Sequence, residues 1–179
     1  MSLQNKAMLA GVAIAALAFA GAATAQQVAP VCTDDSRDCM IAAARAYLDS
    51  IVNHDASKVP AHPAIKRTEQ GRITAEGEQK LRDSQRLQPD MDGHRNTRFF
   101  VDEKTHNVIA YTLLRVTGTQ ADPNRQTFFT GRPEANQPRP PSTVHLAERF
   151  KVEKGLITEI EALFTTETGT MDGISNWPD

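Results

Sequence analysis

Two stretches toward the C-terminal end, TVHLAERFKVE at 143–153 and LITEIEALFTT at 156–166, are separated only by Lys154-Gly155. β-branched and aromatic residues on both sides of so short a link predict a β-hairpin. Two more strand-like segments precede it: NTRFFVD at 96–102, a turn over 103–107, then VIAYTLLRVT at 108–117. The last is apolar on both faces and is expected in the middle of a sheet. Strands joined this closely pair antiparallel. The C-terminal half is thereby committed to a meander, one face of which must be covered.

The cover is sought in the N-terminal half. Ile41, Ala44, Leu48, Ile51 and Val52 recur at helical spacing, with Asp35 or Ser36 placed to cap the helix. The helix is expected to end near 53–55, and Pro60 and Pro63 forbid its continuation. AIKRTEQ at 64–70 reads as a short strand closed by Gly71, and 75–87 as a second, polar helix anchored by Leu81 and Leu87. Helix, short strand, helix, then meander predicts an α+β half-barrel with a hollow between helices and sheet.

Ahead of this lies Lys6, then an apolar run over 7–23 ending in Ala23-Thr24-Ala25. That layout predicts a cleavable signal peptide at 1–25 and a single domain at 26–179, exported to the periplasm or secreted. A spanning helix needs about 20 strongly apolar residues, and this run is rich in Ala and Gly. In an oxidising compartment Cys32 and Cys39, the only two cysteines, are expected to pair as a structural disulfide; free thiols are the alternative. The formal charge of −2, with basic residues scattered among acids, does not suggest nucleic acid. No membrane partner is expected after cleavage.

The segment 118–142 holds five of the ten prolines, with Phe128 and Phe129, and is too long for a plain connector. Two readings stand: a lid over the hollow, or an oligomer contact. In the tail, Trp177 either closes the hollow and stacks on a ligand or covers core.

Four stretches carry a family resemblance: 43–55, leading into His54-Asp55; IKRTEQG at 65–71; Phe100 to Asp102 before a turn; and RFKVEKGLITEI at 149–160. Over roughly 40–165 the chain resembles the NTF2-like (SnoaL-like) superfamily, and IKRTEQG is similar to the "TENG" segment of one of its branches. The resemblance implies an NTF2-like cone, a curved antiparallel sheet packed against N-terminal helices around a hollow. It also implies a wide choice of activity, because the superfamily hosts isomerases, hydrolases, cyclases, lyases and plain binding modules. Some of its members are cofactor-free lyases of lignin-derived aromatic dimers. Arg67 and Glu148 depart from the pattern, standing where related sequences often carry apolar residues.

The five histidines lack metal-ligand spacing, and there is no Walker, GxGxxG or GxSxG motif. No metal or cofactor is expected, so any catalysis falls to acid/base and electrostatic groups. Glu148 is the sole carboxylate in the row Val144, Leu146, Glu148, Phe150, Val152. If that row faces the hollow, burial makes Glu148 a general acid or base; otherwise it pairs with an arginine. His145 is the competing base if the opposite face lines the pocket. Arg67 is a candidate to hold an anionic or phenolate oxygen, or else to pair with Glu69 or Glu148. Tyr111 is a candidate donor to a substrate oxygen, or a satisfied core tyrosine. Tyr47, one position off the helical stripe, is a weaker candidate of the same sort, and His62 a rim residue.

The function expected is a cofactor-independent lyase or isomerase acting on a small apolar or aromatic molecule. The alternative is a non-catalytic ligand-binding or dimeric interaction module. A dimer is expected in either case, with Val108, Ala110, Thr112, Leu114 and Val116 as one possible surface.

Overall fold

The computed structural model describes residues 32–118 and 140–169, together with Pro30 and Pro138. The signal-peptide segment, Phe128, Phe129 and Trp177 lie outside the described residues. Helix α1 spans Arg37–Asn53, followed by a 3-10 turn at Ala56–Lys58, strand β1 (Ala61–Glu69), strand β2 (Arg72–Glu76) and helix α2 (Glu78–Gln85). Strands β3 (Met91–Asp102), β4 (Asn107–Val116), β5 (Ser142–Glu153) and β6 (Leu156–Thr168) complete one six-stranded sheet in the order β2-β1-β6-β5-β4-β3.

Turn chemistry explains most of this order. Lys154 and Gly155 have φ of 50° and 74°, the left-handed pair of a two-residue hairpin loop, and they join β5 to β6. Gln70 and Gly71 repeat the device at φ 50° and 74°, and so create β2, which sequence reading had missed by taking Gly71 as a strand end. The second helix accordingly starts at Glu78 rather than 75, and Ala75 is a buried strand residue. β1 pairs parallel with β6, so the sheet is mixed rather than wholly antiparallel. The expectation that the 108–117 strand is central is also corrected: β4 lies second from the edge, between β5 and β3. Its alternation sends Val108, Ala110, Thr112 and Leu114 into the core, which removes them as a dimer surface. Ile109 and Tyr111 face outward instead.

Helix α1 is capped by Ser36, whose Oγ accepts the Cys39 N–H at 3.3 Å, and it ends at His54 with φ 54°. Its buried stripe is rotated from the expected one. Met40, Ala43, Tyr47, Leu48 and Ile51 face the sheet, while Ile41 and Val52 are only half-buried. Against β3 the helix is held by His94, which bridges Asp49 of α1 at 2.9 Å and Thr97 at 3.0 Å. Helix α2 is tied to the 3-10 turn that follows α1 through Arg82, which donates to the carbonyls of Ala56 and Val59.

Cys32 and Cys39 form a disulfide with Cα atoms 5.6 Å apart. The loop it closes docks on the β5–β6 turn, where Asp35 accepts the Lys154 N–H at 2.6 Å. A Cβ at Gly155 would overlap the Cys32 carbonyl, and the φ of 74° is itself unfavourable to a side chain. Gly155→Ala is therefore expected to cost about 2–3 kcal/mol. A thermal melt showing an unchanged Tm would contradict this reading of the turn. Among the described residues no helix is long and apolar enough to cross a membrane.

Candidate functional site

The sheet register builds the site. Glu69 on β1 lies opposite Ala162 on β6, Ala162 opposite Glu148 on β5, and Glu148 opposite Ala110 on β4. All four are buried, so this is one row on the concave face. Two acids thus stand two strand spacings apart, about 10 Å between backbones. Alanines flank Glu148 on both neighbouring strands. Arg67 sits one inward position before Glu69, opposite Ala75 and Ile160, and is fully buried. From the helix layer, Tyr47 reaches down onto this row, its ring edge-on to Phe150 with centroids 5.3 Å apart.

Hydrogen bonds join these groups into one network. Arg67 Nη1 donates to the Tyr47 hydroxyl at 3.0 Å, and its Nε donates to Thr74 Oγ1 at 2.9 Å and lies 3.3 Å from Glu69 Oε1. The Thr74 hydroxyl draws the Glu69 carboxyl down and the Tyr47 hydroxyl draws the Glu148 carboxyl down, both against burial. Glu69 Oε2, Glu148 Oε2 and both amide atoms of Gln85 are buried without a hydrogen-bond partner.

Burial dominates the electrostatics. It lifts the Glu148 carboxyl to about 8, against the opposing pull of the Arg67 charge. Burial also raises Glu69, again opposed by Arg67 and by the Thr74 hydroxyl. Tyr47 is pushed far above its ordinary value by burial, and so stays a neutral phenol. Desolvation draws Arg67 down, but Tyr47 and Glu69 outweigh it and keep the guanidinium charged. At neutral pH the site therefore holds a protonated Glu148 with one oxygen uncommitted. Beside it is an arginine-bound Glu69 with one oxygen likewise uncommitted.

Of the residues singled out from sequence, Tyr47, Arg67, Glu69 and Glu148 come together. The strand alternation puts the others elsewhere. His145 is on the outer face, 3.3 Å from Glu167, and Tyr111 is also on the outer face and exposed. Strand alternation thus puts Glu148, and not His145, on the buried face of the sheet. His62 is half-buried early in β1, where its Nδ1 accepts the Ala64 N–H at 3.1 Å. Tyr47, ranked low because it lay off the expected helical stripe, is a hub of the network. Sequence reading missed Thr74 and Gln85: Thr74 sits in the unrecognised β2, and Gln85 looked like one more polar residue of a polar helix. Among the described residues no three His, Cys, Asp or Glu side chains are grouped to hold a metal.

Residues 33–164 match the family described as Domain of unknown function (DUF8021). The chain belongs to the DUF8021 family. The matched stretch runs from just ahead of α1 into β6, so the DUF8021 domain contains every group of the network. The sequence matches no curated protein. Solved structures share the DUF8021 chain's fold. One is SalBIII, an epoxide hydrolase/cyclase-like enzyme described in pyran ring formation in the polyether salinomycin. It has a TM-score of 0.56 and 11% identity, covering 75% of this chain and 99% of that one. A putative polyketide cyclase from Xanthomonas campestris pv. campestris has a TM-score of 0.54 and 15% identity, covering 72% and 92%. An LEH-like epoxide hydrolase from M. tuberculosis has a TM-score of 0.51 and 16% identity, covering 72% and 84%. At these identities the likeness concerns fold alone. That fold is an α+β NTF2-like cone.

Proposed function

We propose that this protein is a cofactor-independent enzyme that moves protons on a small, largely apolar molecule bound in the hollow, as a lyase or an isomerase. The observation that carries the proposal is the pair of buried acids, each with an oxygen that has no hydrogen-bond partner. Glu148 is held neutral by burial, and Glu69 is bound to Arg67, with a free oxygen on each. In this reading Glu69 withdraws a proton from the substrate and Glu148 delivers one to a developing oxyanion. The printed descriptions of the structural neighbours, a hydrolase/cyclase-like enzyme, a putative cyclase and an epoxide hydrolase, support small-molecule chemistry in such a fold. The IKRTEQG segment makes lignin-derived aromatic dimers the first substrates to try. The reading includes export of residues 26–179 as a single domain after removal of 1–25, which the Cys32–Cys39 disulfide supports.

The test is turnover of a panel of aromatic dimers and small epoxides by the wild type and by Glu148→Gln. Removing a positioned acid is expected to lower kcat by about 10²–10⁴. Equal turnover in both proteins would reject the assignment. Ligand retention without turnover by either would favour the non-catalytic binding module.

The outer sheet face supports a second element of the proposal, self-association as a dimer. Phe100 and Ile109 are cross-strand partners there, as are Tyr111 and Ala147, and Ala147 and Leu163. Phe100, Ile109, Tyr111 and Leu163 are all exposed. An apolar surface shared between neighbouring strands suits a two-fold contact. Light scattering at micromolar concentration is expected to give a dimer for the wild type and a monomer for Leu163→Glu. A monomeric wild type would remove the claim.

A further inference from the structure

Gln85, the last residue of α2, is fully buried, yet neither its Oε1 nor its Nε2 has a hydrogen-bond partner. Leaving a buried polar atom unpaired is costly, and a native protein that keeps one commonly does so for function. The position indicates which function. Leu81, Ser84 and Gln85 form the buried side of α2, three and four residues apart. That side packs on β1 and β2, whose inward residues include Arg67, Glu69 and Ala75. The amide is therefore carried by a helix packed on the two strands that hold Arg67, Glu69 and Thr74.

The uncommitted atoms have mixed character. The amide offers a donor beside an acceptor, Glu148 offers a carboxyl oxygen, and Glu69 offers a second oxygen. The Arg67 charge is already engaged by Glu69 at 3.3 Å. An anionic head would meet two acids, and no uncompensated cation stands opposite Gln85 on β1 or β2. A primary amide is complementary to another group that carries donor and acceptor side by side. We propose that Gln85 is a ligand-recognition residue, and that the ligand bears an uncharged donor–acceptor head, such as an amide, a lactam or a hydroxy-carbonyl, which it presents to the Gln85 amide. This rests on the hollow being the ligand site but not on Glu148 acting as an acid.

The test uses two six-membered rings of similar shape. δ-Valerolactam has a donor beside its carbonyl, and cyclohexanone has the carbonyl alone. Chemical-shift titration of residues 26–179 is expected to show the wild type binding the lactam about tenfold more tightly. Gln85→Met, which keeps the shape and loses both polar atoms, is expected to abolish that preference. Gln85→Met is also expected to raise Tm, by about 2–4 °C, because it removes an unpaired buried amide. A wild type that binds both rings equally, or does not bind the lactam, overturns the proposal. So does a Gln85→Met variant that keeps the preference, or one whose Tm falls because the amide has a structural partner in solution. Loss of turnover in Glu148→Gln alongside an unchanged preference in Gln85→Met would defeat this proposal and spare the acid–base reading. The reverse pair of results would do the opposite.

Discussion

Arg67→Met is expected to destabilise the protein by about 3–5 kcal/mol in a denaturant titration at neutral pH. The guanidinium is fully buried and is the cation of a network that also holds Tyr47, Thr74 and Glu69. Without it, Glu69 is left buried with no neighbouring positive charge, and Tyr47 loses its donor. The cost comes from stranding a charge, not from losing a favourable pair. The double variant Arg67→Met/Glu69→Gln should therefore recover part of the loss. A coupling of at least about 1 kcal/mol in the double-mutant cycle is expected. A single-variant loss below about 1 kcal/mol, the size of an exposed ion pair, would mean that the network is not closed to water.

Glu148→Gln is expected to change how stability depends on pH. The folded carboxyl takes up its proton near 8, whereas a free glutamate does so near 4.5. Between those values the folded state holds a proton that the unfolded chain has released. The stability this confers is complete below about pH 4.5 and is lost as pH rises toward 8, at up to about 1.4 kcal/mol per pH unit. Glu69 is shifted in the same direction. Asp34, Asp55 and Asp102 are held low by hydrogen bonds, so their effect has the opposite sign and falls at acid pH. A Glu148→Gln variant keeps the neutral shape and loses the titration. Its stability should fall less steeply between pH 5 and 8 and should equal or exceed that of the wild type at pH 8. Parallel curves for the two proteins would show that Glu148 is ionised in the fold at neutral pH.

The layer order of the fold could be read from the sequence because its signals are local. Strand composition on both sides of Lys154-Gly155 and the helical spacing of Ala44, Leu48 and Ile51 need no tertiary information. β2 was missed because Gln70-Gly71 is a weaker hairpin signal than Asn-Gly, although its backbone adopts the same left-handed pair. The site was legible only as a set of possibilities. Alternation showed that Glu148 and His145 face opposite ways, but which face is inward depends on where α1 packs. Tyr47 was underrated because Ile41 and Val52 pulled the predicted stripe to one side, whereas Met40 and Ala43 are the residues that face the sheet. The alanines beside Glu148 carried a real signal, but Ala110 and Ala162 become its neighbours only once the register is known.

The central claim is that Glu148 is a neutral acid at physiological pH, buried on the same sheet face as Glu69 and Arg67. Its most direct test is a side-chain carboxyl ¹³C NMR titration of residues 26–179, with the Glu148 resonance assigned by its absence in Glu148→Gln. The account predicts that this one carboxyl titrates near 8. Titration of the same resonance in the ordinary carboxylate range, near 4.5, would contradict it.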